Sequence, residues 1–207
     1  MLNALFPVRC GLCGLMASSG LCEECREAFE PAQNAVERLD SGSLSIAIGL
    51  YKYEGRVAQA VQRLKYERVT SLADPLANLI EIGFREYGGD SWDMIAPVPI
   101  HWRRLCWRGF NQAELLARNL PHMIQGKGLL RIRATRPQVR LSPEERRTNL
   151  LGAFRSDASV RGKAVLLVDD VLTSGSTARA CADALVAAGA SRVGILALAR
   201  GFDLNVD

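Results

Sequence analysis

Asp169 and Asp170 stand side by side, and after Val171 and Leu172 comes Thr173-Ser174-Gly175-Ser176-Thr177. Adjacent carboxylates repel a phosphate; they suit hydroxyl groups, as acceptors, or a metal ion. A Gly/Ser/Thr loop does the opposite and offers backbone N–H groups and hydroxyls to an anion. The two together fit a molecule with a phosphate at one end and hydroxyls beside it, such as a ribose 5-phosphate. Four apolar residues, Val165 to Val168, precede the acids and read as a buried strand, and Ala178 to Ala188 reads as a helix. Ligands in open α/β sheets gather at the carboxyl ends of strands. A helix N-terminus attracts an anion by up to ~2 kcal/mol. The chain contains neither G-x-x-x-x-G-K-[ST] nor G-x-G-x-x-G, so neither a Walker A loop nor a dinucleotide fingerprint is present.

A second set of chemically apt residues lies near the start. Cys10-x-x-Cys13 and Cys22-x-x-Cys25 are separated by eight residues. Two such pairs supply the four thiolates of a tetrahedral Zn²⁺ site, and the short spacing predicts a compact module. Two disulfides are the alternative, disfavoured by a reducing compartment. A redox C-x-x-C lacks the βαβ context it needs. Cys106 has no paired cysteine nearby and Cys181 falls on the apolar face of its helix, so both read as packing.

The third set is cationic. Residues 101–150 carry eleven Lys/Arg against three Glu, a balance of +8, whereas the whole chain is only +4. Such asymmetry points to anionic partners. Arg dominates, and Arg suits bidentate phosphate contacts. His101, Arg103, Arg104, Arg108, Gly109, Asn111 and Gln112 follow Pro97-Val98-Pro99 in what reads as a loop between a strand and a helix. Such a loop suits a second anionic group, for example a pyrophosphate. Trp102, Trp107 and Phe110 interleave with the arginines, either to stack on a base or to anchor the loop by packing. Residues 134–150 are polar, Arg-rich and without period, which predicts a long functional loop.

These residues need a scaffold. At 207 residues, 48% hydrophobic and 23% charged, the chain has room for one α/β domain and a small appendage. No apolar run approaches the ~20 residues of a membrane span, so no membrane insertion and a cytoplasmic location are expected. The spacing predicts a helical stretch over 23–39, interrupted at Pro31, and a linker over 40–43. Strands are predicted at 45–53, 93–97, 128–133, 163–169 and 193–199. Helices are predicted at 57–66, 72–87, 113–120 and 178–188. Alternating strands and helices imply a mostly parallel sheet flanked by helices. The expected division is a four-cysteine module over 1–40 and an α/β domain over 44–207.

The run from Val165 to Thr177 resembles the phosphoribosyl pyrophosphate motif of type I phosphoribosyltransferases. With the C-x-x-C pairs, Leu64-Lys65-Tyr66, Pro97-Val98-Pro99, Arg108-Gly109-Phe110-Asn111-Gln112, Gln138, Leu141, Arg146, Arg147, Asn149 and Gly152-Ala153-Phe154, the chain resembles the ComF/GntX family. The resemblance implies a type I phosphoribosyltransferase-like core behind a zinc module. Asp169 and Asp170 are then expected on the ribose hydroxyls, with Arg146 joining them as a catalytic group. Thr173, Ser174, Gly175, Ser176 and Thr177 are expected around the 5′-phosphate, with Arg104, Arg108 and Asn111 at the pyrophosphate and 134–150 as a hood. It further implies Mg²⁺ with phosphoribosyl pyrophosphate, structural Zn²⁺, and a role in DNA uptake with single-stranded DNA and a helicase-like protein as contacts. Two functions stay open: transfer of phosphoribosyl to an unidentified acceptor, or a non-catalytic DNA-processing factor that uses the site for ligand sensing.

Overall fold

The computed structural model describes residues 8–122, 128–135 and 149–201. In chain order the regular elements are α1 (Glu23–Glu27), β1 (Val36–Arg38), β2 (Ile46–Lys52), α2 (Gly55–Gln62), α3 (Ala73–Glu86), β3 (Met94–Pro97), α4 (Trp102–Arg108), α5 (Gln112–Ala117), β4 (Leu129–Arg131), β5 (Phe154–Ser156), β6 (Ala164–Leu172), α6 (Ser176–Ala187) and β7 (Arg192–Arg200). A π-helical turn, Arg63–Glu67, continues α2.

The main sheet has the order β1-β2-β7-β6-β3, and β4 with β5 forms a separate antiparallel pair. β2, β7, β6 and β3 are parallel, and β1 closes one edge antiparallel. The sheet is covered on both faces, which is why its central strands are apolar without alternation. Leu166 and Val168 of β6 pack with α2, α3 and α5, whereas Val165 and Leu167 pack with α6 and the β4–β5 pair. The predicted parallel sheet with flanking helices is therefore present. No helix among the described residues is long and apolar enough to cross a membrane.

Three local readings are corrected. The helical stretch expected over 23–39 stops at Glu27, and Val36–Arg38 is instead a strand. Pro31 has no N–H to carry a helix on, and the backbone beyond it pairs with β2, Val36 opposite Ile48 and Arg38 opposite Ile46. β6 runs through the acid pair to Leu172, and α6 begins at Ser176, so the loop between them is only Thr173–Gly175. The stretch expected as a loop after His101 holds the helix α4, started by His101 Nδ1, which accepts from Arg103 N–H at 3.3 Å.

The cysteine-bearing segment packs on the α2–α3 side of the sheet. Leu12, Leu21, Cys10, Cys25 and Phe29 join the same core as Leu64, Leu72 and Ile80. The approach is close enough to demand glycine. A Cβ on Gly20 would stand 1.7 Å from the Ser71 carbonyl oxygen, and one on Gly11 2.7 Å from Leu72 Cγ.

Candidate functional site

The acid pair lies where β6 approaches its carboxyl end. Alternation along a strand sends neighbouring side chains to opposite faces. Asp170 follows Leu166 and Val168 toward α2, and meets Lys65: Nζ lies 2.5 Å from Oδ2, with side-chain exposures of 18% and 4%. Asp169 lines the small cavity shared with Thr173, Ser174, Gly175, Ser176 and Thr177. The two backbone N–H groups that follow are held by the acids themselves, Asp170 N–H on Asp169 Oδ1 at 2.9 Å and Val171 N–H on Asp170 Oδ1 at 3.0 Å. Their electrostatics part accordingly. Burial, then the neighbouring Asp170 charge, raises the Asp169 carboxyl well above the usual range. Burial acts on Asp170 too, but the Lys65 ammonium overcomes it and leaves that carboxyl lowered.

The Thr173–Gly175 loop, expected to hold a phosphate, is short and bent. Gly175 has φ +67° and precedes α6, a conformation costly for any residue with a Cβ. Ser174 and Ser176 hydroxyls lie 2.9 Å apart across the bend. The positive end of α6, twelve residues long, closes the cavity.

Cations surround the acids. Arg108 is buried, donates from Nη1 to Gln112 Oε1, and has its guanidinium 5.7 Å from the centre of the Tyr66 ring. Its buried Nε has no hydrogen-bond partner among the described residues, and the same holds for Arg131 Nε. Burial lowers the pKa of both guanidinium groups, and Arg104 lowers each further, while Asp169 acts on both in the opposite sense. Arg104 itself is exposed. His101 caps α4, and burial with Arg131, Arg103 and Arg104 around it holds its pKa down. Asn111 is fully engaged in structure: Oδ1 accepts from Ala113 N–H and Nδ2 donates to Val98 O, both at 3.1 Å.

The four cysteines come together beside the π turn that continues α2, where Arg63 Nη1 donates to Gly11 O and Leu12 O. All four Sγ atoms lie within 4.8 Å of one another, and Cys13 and Cys22 Sγ are 3.6 Å apart. Four sulfurs at 2.3 Å from a Zn²⁺ stand ~3.8 Å apart, so the cluster fits that ion. No disulfide joins them. Burial opposes ionisation of Cys10, but backbone N–H groups of Cys13, Cys22 and Leu12 hold its thiol down to about 6. Burial, then the neighbouring sulfurs, pushes Cys25 up to about 12. The backbone thus prepares Cys10 as a thiolate ligand, whereas the raised Cys25 thiol would need a metal's charge to ionise.

Of the residues singled out by sequence, Asp169 and Thr173 to Thr177 line one cavity, Asp170 adjoins it beside Lys65, and Arg108 interacts electrostatically with both acids; the exposed Arg104 acts on Arg108, Arg131 and His101. Asn111 serves α5 as its cap, and Arg146 lies outside the described residues, as does most of 134–150. Lys65 and Arg131 are additions. Lys65 had a legible signal: Val57, Ala60, Val61, Leu64 and Lys65 occupy i, i+3, i+4, i+7 and i+8, which puts a lysine on the buried stripe of a helix.

Residues 105–203 match the family model described as phosphoribosyl transferase domain. The chain is 34% identical over 202 residues to DNA utilization protein YhgH of Salmonella typhimurium, covering 92% of this chain and 83% of the relative. It is 29% identical over 206 residues to competence protein F of Haemophilus influenzae, covering 94% and 85%. Competence protein ComFC of Bacillus subtilis is 25% identical over 181 residues, covering 87% and 72%. Among solved structures, an allosteric regulatory enzyme of purine biosynthesis superposes with TM-score 0.41 at 22% identity, over 61% of this chain and 26% of that one. Glutamine phosphoribosylpyrophosphate amidotransferase from B. subtilis gives 0.45 at 18% identity, over 67% and 30%.

Proposed function

The chain belongs to the ComF/GntX family, and from that membership and the geometry of the site we propose that it binds phosphoribosyl pyrophosphate and serves DNA uptake or use. The observation that carries the ligand reading is one cavity lined by Asp169 and by Thr173 to Thr177 together. A hydroxyl acceptor and a phosphate-binding loop with a helix N-terminus thus face the same space. Asp170, kept ionised by Lys65, accepts from one ribose hydroxyl. Arg108, Arg131 and Arg104 carry the positive charge that a leaving pyrophosphate needs. Family resemblance supports displacement of that pyrophosphate from ribose C1 by a nitrogen nucleophile. Excluding water from the site then matters, because hydrolysis competes.

Mg²⁺ carried in with the ligand would supply charge neutralisation at this site. The residues fit an ion carried by the ligand: Asp170 Oδ2 already has Lys65, and Asp169 faces the cavity. Zn²⁺ on Cys10, Cys13, Cys22 and Cys25 is structural in this reading, and a four-thiolate metal site suits a reducing compartment such as the cytoplasm. Release of pyrophosphate from phosphoribosyl pyrophosphate, measured with a panel of bases, tests turnover. Release with one base establishes a transferase, and binding without release supports a ligand-sensing factor.

A separate observation favours contact with single-stranded DNA. Trp102 and Trp107 on α4 are 61% and 58% exposed. Arg103 lies 5.4 Å from the Trp102 ring centre and Arg68 5.8 Å from that of Trp107. Exposed aromatics beside arginines suit base stacking and backbone contact. A helicase-like protein is the partner that the family resemblance adds. DNA retention that falls steeply with salt is the expected result.

A further inference from the structure

A helix that runs on as a π turn often does so at a functional site. The turn Arg63–Glu67, with Arg68 closing it at φ +57°, sends side chains to four different places. Arg63 Nη1 donates to Gly11 O at 2.7 Å and Leu12 O at 3.1 Å, the two residues between Cys10 and Cys13. Lys65 reaches Asp170 at 2.5 Å. The Tyr66 ring lies against Arg108, and Arg68 donates to the Trp107 carbonyl. The cysteine cluster and the acid pair thus meet through five consecutive residues. Val69 and Leu72, just beyond the turn, also pack close to Gly11.

Lys65 sits on the stripe that α2 buries, so its ammonium has only a short reach to choose from. Its position depends on the rotation of the π turn about the α2 axis. Arg63, two residues earlier, fixes that rotation by gripping backbone carbonyls of the knuckle. Those carbonyls are oriented by the loop geometry that also brings Cys10 and Cys13 together, and Leu12 N–H lies 3.4 Å from Cys10 Sγ.

We propose that Lys65 is a positioning residue, holding Asp170 toward the ribose hydroxyls, and that the four-cysteine knuckle keeps Lys65 in place through Arg63. The inference rests on the ribose phosphate reading of the site. It makes the metal module a support of the ligand site as well as of the fold. By linkage, any effect of metal loading on ligand affinity is matched by an effect of ligand on metal affinity.

The test uses the full metal-loaded chain, with ribose 5-phosphate and inorganic phosphate as probes in calorimetry. Inorganic phosphate reports the loop at 173–177, and the ratio of the two affinities reports the hydroxyl contacts. Lys65→Met should cut that ratio roughly tenfold or more while leaving phosphate affinity in place. Lys65→Arg, which keeps the charge, should recover part of it. Arg63→Met should lower the ratio too, with zinc content unchanged. Amine acylation read by mass spectrometry adds a measurement that needs no ligand. Lys65 should be protected in the native chain and should react in Arg63→Met. An unchanged ratio in Lys65→Met, or equal loss of both probes, overturns the positioning role. Arg63→Met with an unchanged ratio and a protected Lys65 overturns the knuckle's part. Failure of the native chain to prefer ribose 5-phosphate over phosphate overturns the ligand reading, and the acylation pattern still judges whether the knuckle holds Lys65.

Discussion

Lys65 Nζ and Asp170 Oδ2 lie 2.5 Å apart near the carboxyl end of β6, while the adjacent Asp169 lines the cavity it shares with Thr173 to Thr177. Two identical side chains one residue apart therefore take opposite charge preferences. Asp170 stays ionised beside its cation, and burial favours the neutral form of Asp169. Environment thus sets the two neighbouring carboxyls apart in the direction of their proton affinity.

The first consequence is a pH-dependent stability. Asp169 has its folded pKa raised above the ordinary 3.8. Its contribution is fully present below that value and is lost as pH rises toward the folded pKa, because the unfolded chain ionises first. Asp169→Asn removes this loss. The melting temperature of Asp169→Asn relative to the native chain should therefore climb as pH rises from about 4 toward neutrality. A constant difference across that range contradicts the assignment.

Breaking the ion pair from one side should cost far more than removing it from both. Lys65→Met leaves Asp170 buried and uncompensated, a loss of about 3 kcal/mol. Adding Asp170→Asn should recover most of that loss in denaturant unfolding, giving a large coupling energy. Additive losses would mean that the two side chains do not interact in solution.

The acid pair and its loop were largely legible in the sequence, because four apolar residues, two acids and a hydroxyl-rich run follow one another without interruption. Strand, loop and helix are all local there. What was not legible depended on partners distant in the chain. Val36–Arg38 is too short to show a period, and its partner lies on β2. α4 was hidden because Trp102 to Arg108 mixes arginine and aromatics on an exposed surface, and its cap is a histidine rather than Ser, Thr, Asp or Asn. The different roles of Asp169 and Asp170 came from Lys65, which is 105 residues away. Arg131 was visible only as part of a strand.

Zinc should be bound at about one per chain, on Cys10, Cys13, Cys22 and Cys25. Because Cys10, Leu12, Leu21 and Cys25 share a core with α2 and α3, chelation should shift the main melting transition downward. Cys22→Ser should do the same. Native protein that contains no zinc, or a main transition indifferent to chelator, contradicts the structural role.

Single-stranded DNA binding should depend on α4. Trp102→Ala with Trp107→Ala should weaken it by about 1–3 kcal/mol for each base that stacks. Its log–log salt slope should be about −0.7 for each phosphate contacted. Replacing Arg103 and Arg104 should flatten that slope. Unaltered binding in the double tryptophan variant removes α4 from the DNA-contacting surface.

The most direct test of the central claim is a calorimetric titration of the full chain with phosphoribosyl pyrophosphate and Mg²⁺, native beside Gly175→Val. The side chain of valine would crowd the loop at a position with φ +67°, where a β-branched residue is strained. The native chain should bind saturably, and the variant, folded by circular dichroism, should show binding weakened at least roughly a hundredfold, about 2.7 kcal/mol. A native chain that does not bind, or a folded variant that binds as well as the native chain, contradicts the assignment of Thr173 to Thr177 as the phosphate loop.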